Sequence, residues 1–309
     1  MLKSDNQKPV ATALTIAGSD SGGGAGIQAD LKSFSAHGVY GASVITAVTA
    51  QNTRLVTKVE AISPAMIKAQ IDAVLSDIRI DSVKIGMLAT PEVIDAVADG
   101  LAEFRGPIVL DPVMVAKSGD ALLQADAVSC LIERLLPRAS LLTPNIPEAQ
   151  SLLSGKGDMT PQEQGKALLA LGPAAVLMKG GHADGTVCHD YLVTDAQIIG
   201  FDAPRINTGN THGTGCSLSS AIAAGLAKNM ALDAAIGAAH QWLHGAIKAA
   251  DQLGIGQGHG PVHHFHEFGR WRVTEPQITI VGGGVAGLCL AAELAERGVS
   301  LRVFDRYGR

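Results

Sequence analysis

The sequence predicts an α/β fold in which a mostly parallel sheet is covered by helices on both faces. Short apolar, β-branched runs alternate with longer amphipathic patterns along most of the 309 residues. Helix-start signals, a Ser or Thr before a Pro, occur at 63–64, 90–91 and 160–161. Strands that alternate with helices pair in parallel, because each helix returns the chain to the same end of the sheet.

The first predicted strand is the apolar run 11–17, which ends at Gly18 and leads through a glycine loop into an amphipathic helix. The same order of strand, loop and helix recurs downstream. Further core strands are predicted at 44–50, 83–85, 108–110, 141–143 and 175–178, and a hairpin at 187–193 and 197–201. Helices are predicted after Ser63 and Thr90, near 125–136 and at 161–171.

Ligands of such folds bind beyond the carboxyl ends of the strands. This rule selects one rim of the sheet, and the polar residues of the chain concentrate there. The rim consists of the segments 18–26, 51–52, 86–87, 111–114, 143–148 and 179–182.

The segment 207–226 predicts a further part of this rim. Gly213 and Gly215 flank Thr214, and an Ala- and Leu-rich helical pattern follows directly. Unpaired backbone amides at a helix N-terminus form an anion site, and the helix dipole there favours a thiolate at Cys216. An ordinary glycine turn that caps a buried helix fits the local pattern equally well.

Composition narrows the class of protein. The net charge is −5, the pI is near 6.0, and 47% of the residues are hydrophobic, so neither a nucleic-acid nor an acidic-membrane partner is expected. The N-terminus lacks the apolar core of a signal peptide. The four cysteines have no C-x-x-C spacing and predict reduced thiols in a cytoplasmic protein. They are Cys130, Cys188, Cys216 and Cys289.

Eight motifs follow one another in order over about residues 14–266. They read AGSDSGGGAGIQAD, AQNT, KIGML, LDPVMVAKSG, TPNIPEA, MKGGH, NTHGTGC and GPVHHFH. This set resembles the hydroxymethylpyrimidine/phosphomethylpyrimidine kinases of thiamine biosynthesis. The resemblance implies a ribokinase-like three-layer α/β/α fold. It also implies that ATP phosphorylates 4-amino-5-hydroxymethyl-2-methylpyrimidine to its monophosphate and then to the diphosphate.

The resemblance places phosphoryl transfer at the glycine corner before the helix. Such a reaction needs donors that absorb charge on the moving phosphate, a metal ion on the nucleotide phosphates and a group that orients the attacking oxygen. The implied catalytic residues are Gly213, Thr214, Gly215, Cys216 and Lys179. The implied contacts to ATP are made by Asn145, Lys179 and Gly215.

The resemblance further implies a Mg²⁺ site at Asp111, Asn145 and Glu148, the last two in N-x-x-E spacing. From the residues alone, Glu148 could equally be an acid in the first turn of a helix. Lys179 could be a solvated residue at a strand end, and Asp111 could fix the loop before Pro112.

Substrate recognition is expected in the first half of the rim. An aminopyrimidine offers an amine donor and ring-nitrogen acceptors, which a carboxylate or carboxamide can complement. The resemblance implies that Asp30 and Gln51 form this pair, although Asp30 could also lie on a solvated helix face. The implied walls of the pyrimidine site are Gly18, Ala25, Met87 and Val113.

Cys216 departs from the pattern of most ribokinase-like sugar kinases, which have an Asp general base at this position. A thiolate could accept the hydroxyl proton in the first reaction. The second reaction starts from a phosphate that is already largely ionised. We therefore expect Cys216 to assist the first step and mainly to leave room in the second.

The C-terminal motif contains His263, His264 and His266. No cysteine or carboxylate cluster accompanies these histidines, and on an extended segment they point in alternating directions. A structural role at the end of the kinase domain is therefore expected instead of a metal site.

The residues after this motif predict a second, incomplete unit. Residues 276–306 read as a strand, a G-x-G-x-x-G turn at Gly282, Gly284 and Gly287, a helix and a second strand that ends near Asp305. The segment resembles the opening of an FAD-dependent oxidoreductase such as glycine oxidase. Two strands and one helix cannot enclose a flavin, so no bound FAD is expected. The predicted domains are 1–270 and 271–309.

Three alternative functions remain open at the level of sequence. The first is a pyridoxal kinase, although Gln51 and the G-T-G-C ending favour the pyrimidine. The second is a noncatalytic pyrimidine-binding regulator, against which the intact Asn145, Glu148 and Lys179 argue. The third is a flavoprotein with an N-terminal scaffold. A homodimer is expected, because proteins of this fold commonly dimerise.

Overall fold

The computed structural model describes residues 9–114, 123, 126–155, 158–181, 185–268, 278–281, 285–297 and 301–304. The chain divides into two compact units, residues 1–265 and 266–309. None of the helices in these described ranges has the length and apolar character needed to cross a membrane.

The described residues of the first unit form a nine-stranded sheet. Its strands are β1 (Thr12–Asp20), β2 (Tyr40–Gln51), β3 (Val56–Ala61), β4 (Ser82–Ile85), β5 (Ile108–Leu110), β6 (Leu141–Leu142), β7 (Val176–Met178), β8 (Val187–Val193) and β9 (Ile198–Pro204). The spatial order is β3-β2-β1-β4-β5-β6-β7-β8-β9. The six central strands, which are β2, β1, β4, β5, β6 and β7 in spatial order, run parallel. Strands β3, β8 and β9 at the two edges pair antiparallel with their neighbours.

Helices cover both faces of this sheet. They are α1 (Gly26–Ala36), α2 (Pro64–Asp77), α3 (Pro91–Gly100), α4 (Ala127–Arg134), α5 (Ile146–Leu152), α6 (Pro161–Leu169), α7 (Thr214–Ala227) and α8 (Leu232–Lys248), with 3₁₀ turns at Leu136–Arg138 and Ala250–Leu253. Helices α2 to α6 pack on the face that carries Ile16 and Leu110, and α1, α7 and α8 pack on the face that carries Ala13 and Val109. The predicted three-layer α/β/α architecture is confirmed.

The helix-start signals act as predicted. The side chains of Ser63, Thr90 and Thr160 accept hydrogen bonds from backbone amides in the first turns of α2, α3 and α6. Strand β3 was not predicted, because V-T-K-V-E-A is solvent-exposed except at Val56 and carries no apolar run. Its register is set by pairing with β2, which is a tertiary contact.

The second unit has the predicted strand-helix-strand order. Strands β10 (Ile278–Val281) and β11 (Leu301–Phe304) pair in parallel, and α9 (Val285–Glu296) connects them. The fingerprint residues Gly282, Gly284 and Asp305 lie outside the described residues, as do His182 of the rim and residues 115–119 of the LDPVMVAKSG motif.

Candidate active site

A cavity of about 1110 Å³ opens at the carboxyl ends of the central strands. It is bounded by the ends of β1, β2, β4, β5 and β7 and by the N-terminus of α7. The structure therefore brings together the rim that the alternation of strands and helices predicted. The predicted site residues that line it are Gly18, Ala25, Gln51, Met87, Asp111, Val113, Asn145, Glu148, Lys179, Gly213, Thr214, Gly215 and Cys216.

Two glycine loops meet at the centre of this cavity. Gly213 caps α7 with φ of +78°, a left-handed conformation that glycine adopts without strain. A Cβ atom at Gly213 would lie 1.8 Å from the carbonyl oxygen of Gly24. Only a residue without a side chain lets the loop after β1 approach the start of α7 this closely.

Asp20 organises the loop after β1. Its carboxylate accepts the backbone N–H groups of Gly22 at 2.8 Å, Gly24 at 3.0 Å and Ala25 at 2.8 Å. Nε2 of His212 lies 2.9 Å from the same carboxylate. Burial opposes ionisation, but these hydrogen bonds outweigh it and lower the pKa of Asp20. Asp20 thus shapes the loop and connects it to the residue that precedes Gly213.

Lys179 lies beneath the start of α7 between two carboxylates. Its Nζ is 2.8 Å from Oδ1 of Asp111 and 3.9 Å from Oε2 of Glu148, and its side chain is 14% exposed. A Cβ atom at Gly215 would lie 3.3 Å from Nζ. Burial disfavours the charge, but Asp111 and Glu148 raise the pKa of Lys179 above its ordinary value. Lys179 is therefore a buried cation at the predicted anion site, not a solvated lysine at a strand end.

Asn145 and Glu148 form a capping box at the start of α5. Oδ1 of Asn145 accepts the N–H of Glu148, and Oε2 of Glu148 accepts the N–H of Asn145, each at 2.8 Å. Glu148 is thus a first-turn acid, as the alternative proposed, and it also lines the cavity. Burial raises the pKa of Glu148 to about 7, with Asp111 adding to the shift and Lys179 opposing it.

The residues around Lys179 offer the oxygen donors that Mg²⁺ prefers. Burial opposes the charge on Asp111, yet Lys179 and Lys84 lower the pKa of its carboxyl. Oε2 of Glu148 is engaged by the capping box, whereas no hydrogen bond to Oε1 is found among the described residues. No group of three or more His, Cys, Asp or Glu side chains in the described ranges could hold a metal alone. A Mg²⁺ ion here fits only if phosphates and waters complete its shell, which is usual for nucleotide-bound magnesium.

Asp30 does not reach the cavity, so its predicted contact with the pyrimidine is wrong in this structure. Its side chain is fully buried, and Nζ of Lys84 lies 2.9 Å from both of its carboxylate oxygens. The hydroxyls of Ser220, at 2.7 Å, and Thr15, at 2.6 Å, also donate to it. The solvated alternative is equally wrong. Helix α1 directs Asp30 toward the sheet, where its carboxylate is the counter-ion of the buried Lys84.

Cys216 lines the cavity, but its predicted thiolate is wrong. Burial raises the pKa of the Cys216 thiol to about 11, and Asp30 and Asp111 add to this shift while Lys84 opposes it. Removal from water and two nearby anions outweigh the helix dipole. A pKa of about 11 leaves only a small fraction of Cys216 ionised at neutral pH.

The histidine motif packs behind the start of α7. Nε2 of His264 lies 2.9 Å from the hydroxyl of Ser217, the residue after Cys216. Burial, together with the charges of Lys32 and His263, lowers the pKa of His264 to about 3, so its ring is neutral. The backbone N–H of His263 donates to Ala246 in α8. These contacts agree with the predicted structural role.

Sequence reasoning missed three features of this site. Lys84 could have been found, because a lysine within the apolar strand pattern S-V-K-I needs a buried anion. His212 carried no signal beyond its place in the NTHGTGC motif. The third feature is a second lobe of the cavity between β8, β9 and α8, to which no sequence motif points. Its walls include Cys188, Asp190, Ala203, His240, Leu243 and Ile247.

Two protein-family models match parts of the chain. Residues 20–263 match the model described as phosphomethylpyrimidine kinase. Residues 280–309 match the model of an NAD(P)-binding Rossmann-like domain. The second match covers the segment predicted to resemble the opening of an FAD-dependent oxidoreductase; the matching model supports a Rossmann-like segment, and its description names NAD(P) instead of FAD.

Similar proteins agree with the first assignment. The hydroxymethylpyrimidine/phosphomethylpyrimidine kinase of Rhizobium meliloti is 58% identical over 84% of this chain and 98% of its own length. The thiamine biosynthesis bifunctional protein ThiED of Geobacter sulfurreducens is 49% identical, with 83% of this chain matching 52% of that protein. The ADP complex of Bacillus subtilis pyridoxal kinase is 35% identical with a TM-score of 0.77, and covers 84% of this chain and all of its own.

Proposed function

Since the chain belongs to the phosphomethylpyrimidine kinase family, we propose how its cavity carries out the two reactions of that family. The protein transfers phosphate from ATP to 4-amino-5-hydroxymethyl-2-methylpyrimidine and then to the resulting monophosphate, in thiamine biosynthesis. The observation that carries the assignment of roles is the convergence of Lys179, the amides at the start of α7 and Gln51 on one cavity.

The pyrimidine lies in the lobe between β1, β2 and β4. The amide of Gln51 hydrogen-bonds to the 4-amino group and the adjacent ring nitrogen. Gly18, Ala25, Met87 and Val113 form the walls of this lobe. A Cβ atom at Gly18 would lie 3.3 Å from the terminal methyl of Met87, so glycine preserves the width of a ring between them.

The transferred phosphate lies between the pyrimidine lobe and the second lobe. The amides of Gly213, Gly215 and Cys216 donate hydrogen bonds to it, because the first turn of a helix leaves N–H groups unpaired. The amide of Thr214, which donates to the carbonyl oxygen of Thr211 at 3.4 Å, exchanges that acceptor for the phosphate. Lys179 adds a fixed positive charge beside them. The rest of the nucleotide occupies the second lobe. The ADP complex of the pyridoxal kinase supports binding of a nucleotide by this fold.

Mg²⁺ would be held by Asp111 and Glu148, with Asn145 fixing the orientation of Glu148 through the capping box. Bound there, the ion neutralises charge on the nucleotide phosphates. Before the nucleotide arrives, Lys179 offsets the charge of Asp111, its nearer carboxylate partner.

Cys216 acts at Sγ as a proton acceptor in the first reaction only, through the small fraction that is ionised. We expect Cys216→Ala to lower kcat for the alcohol about 10²-fold and kcat for the monophosphate less than about threefold, because the phosphate is already ionised. The pKa of Cys216, about 11, lies above the range from pH 7 to 9. The thiolate fraction therefore still rises through this range, and wild-type kcat for the alcohol should rise with it from roughly pH 7 to 9.

Steady-state rates with both substrates check this division of labour, and the monophosphate reaction of the same variant is the internal control. An equal loss in both reactions would contradict it. A first-step profile that still rises with pH in Cys216→Ala would exclude the thiol as the titrating group.

The function is tested by ATP consumption with the pyrimidine alcohol, its monophosphate and pyridoxal measured side by side. The similarity to a pyridoxal kinase makes pyridoxal the relevant competitor. Turnover of both pyrimidines with higher kcat/KM than pyridoxal is the expected result. Absence of turnover with either pyrimidine would overturn the assignment.

For the whole chain we propose a kinase domain at 1–270 and an incomplete dinucleotide-binding segment at 271–309. The described strands and helix of that segment are too few to enclose FAD, so the purified chain should show no flavin absorbance. We propose a cytoplasmic homodimer without nucleic-acid or membrane partners. Gel filtration with light scattering tests the dimer.

A further inference from the structure

A network of hydrogen-bonded polar side chains connects the loop after β1 to the end of β2 through His212. Nε2 of His212 is 2.9 Å from Oδ2 of Asp20, and it is also 3.3 Å from the terminal amide nitrogen of Gln51. The amide oxygen of Gln51 is 3.2 Å from Oγ1 of Thr49, whose hydroxyl is 2.9 Å from the carbonyl oxygen of Ser19. His212, Asp20 and Thr49 are all buried.

The hydrogen atoms of this network can be assigned from its donors and acceptors. Asp20 accepts three backbone N–H groups, and its lowered pKa keeps it ionised, so it can only accept. Nε2 of His212 therefore carries a hydrogen and donates it to Asp20. A ring nitrogen that carries a hydrogen cannot accept another from the amide of Gln51.

The amide of Gln51 is consistent with its surroundings only after a half-turn that exchanges its oxygen and nitrogen. Oε1 then shares the Nε2–H of His212 with Asp20 in a three-centre hydrogen bond, Asp20 being the nearer acceptor at 2.9 Å against 3.3 Å. Nε2 donates to Thr49 Oγ1, whose single hydrogen remains on the carbonyl oxygen of Ser19. In the opposite orientation, the Nε2–H of His212 and the amide N–H of Gln51 face each other at 3.3 Å with no acceptor between them, and this repulsion decides against it.

We propose that His212 is a positioning residue that determines substrate specificity: it locks the amide of Gln51 with its oxygen toward α7 and its nitrogen toward β2. This inference rests on the proposed function, in which Gln51 reads the pyrimidine. Each end of the locked amide keeps one free position, a lone pair on Oε1 and a hydrogen on Nε2.

A locked amide reads a pyrimidine in one direction only. The 4-amino group donates to Oε1 and the adjacent ring nitrogen accepts from Nε2, which also fixes where the 5-hydroxymethyl group points. The 4-oxo analogue has the reverse pattern, a ring N–H and a carbonyl oxygen. Its carbonyl oxygen would face Oε1, an acceptor, and its ring N–H would face Nε2, a donor. An amide held by His212 and Thr49 cannot rotate to reverse this pairing.

The test compares kcat/KM for the 4-amino alcohol with kcat/KM for its 4-oxo analogue. We expect the wild type to favour the 4-amino substrate by about 10⁴-fold. His212→Leu should reduce this ratio at least about tenfold, because the amide is then free to turn. Damage to the neighbouring amides of α7 would lower both rates together and leave the ratio unchanged.

Two further variants separate positioning from general disruption. In a Gln51→Met background, His212→Leu should leave the ratio unchanged, because no amide remains to be oriented. Thr49→Val removes the other partner of the amide, should also lower the ratio, and serves as the test if His212→Leu does not fold.

An unchanged ratio in His212→Leu, or in Thr49→Val where it replaces that variant, overturns this inference and leaves the kinase assignment intact. An equal effect of His212→Leu with and without Gln51 overturns it too. If the wild type turns over neither pyrimidine, the proposed function fails and this inference fails with it.

Discussion

Lys179→Met should lower kcat for both phosphorylations by about 10²- to 10³-fold. Lys179 Nζ lies beside the amides that begin α7, 2.8 Å from Asp111. Its charge is fixed before the nucleotide binds and is removed from water, where an electrostatic contribution to the transition state is large. Both reactions transfer the same phosphate, so both should fall together. Steady-state rates with the alcohol and the monophosphate measure this, in contrast to the selective loss expected for Cys216→Ala.

Two controls define the cause of this loss. Lys166→Met changes an exposed lysine on α6 and should leave both rates unchanged. Lys179→Met leaves Asp111 buried without its cation, so part of the loss could come from instability. Lys179→Met combined with Asp111→Asn removes that unpaired charge and should regain thermal stability; this variant is a control for stability alone, because Asp111 is itself a proposed ligand of Mg²⁺. Wild-type kcat in the single variant would refute the role of Lys179.

The parts of this molecule that the sequence predicted are those encoded by local pattern. Alternating strands and helices placed the carboxyl ends of the strands on one rim, and Asp111, Asn145 and Lys179 lie on that rim because each directly follows a strand or begins the next helix. The glycine-rich turn before α7 likewise predicted the helix that begins at Thr214.

The parts that the sequence could not predict depend on which residues meet across the fold. Asp30 and Gln51 looked alike as polar residues near the pyrimidine, but α1 directs Asp30 to Lys84, 54 positions away in the chain. The pKa of Cys216 follows from burial beside Asp30 and Asp111, which outweighs the local effect of the helix start. The lobe between β8, β9 and α8 is formed by side chains that share no motif.

The ion pair of Lys84 and Asp30 supports the prediction with the largest effect on stability. Both side chains are fully buried, and four elements contribute to the cluster: β1 through Thr15, α1 through Asp30, β4 through Lys84 and α7 through Ser220. Lys84→Met leaves a carboxylate in the core without its cation. We expect the free energy of unfolding to fall by about 3–5 kcal/mol, as measured by urea unfolding of the full chain.

Removing both charges should cost much less than removing one. In Lys84→Met with Asp30→Leu, no charge remains to be buried, and the hydroxyls of Ser220 and Thr15 can turn to backbone carbonyls. Lys68→Met, which breaks an exposed pair with Asp72, should change stability by less than about 1 kcal/mol. If Lys84→Met alone were as stable as the double variant, the buried carboxylate of Asp30 would not need Lys84 as its counter-ion. The polar cluster that includes Ser220 would then not hold α7 against the sheet, and the apolar contacts of α7 would do so instead.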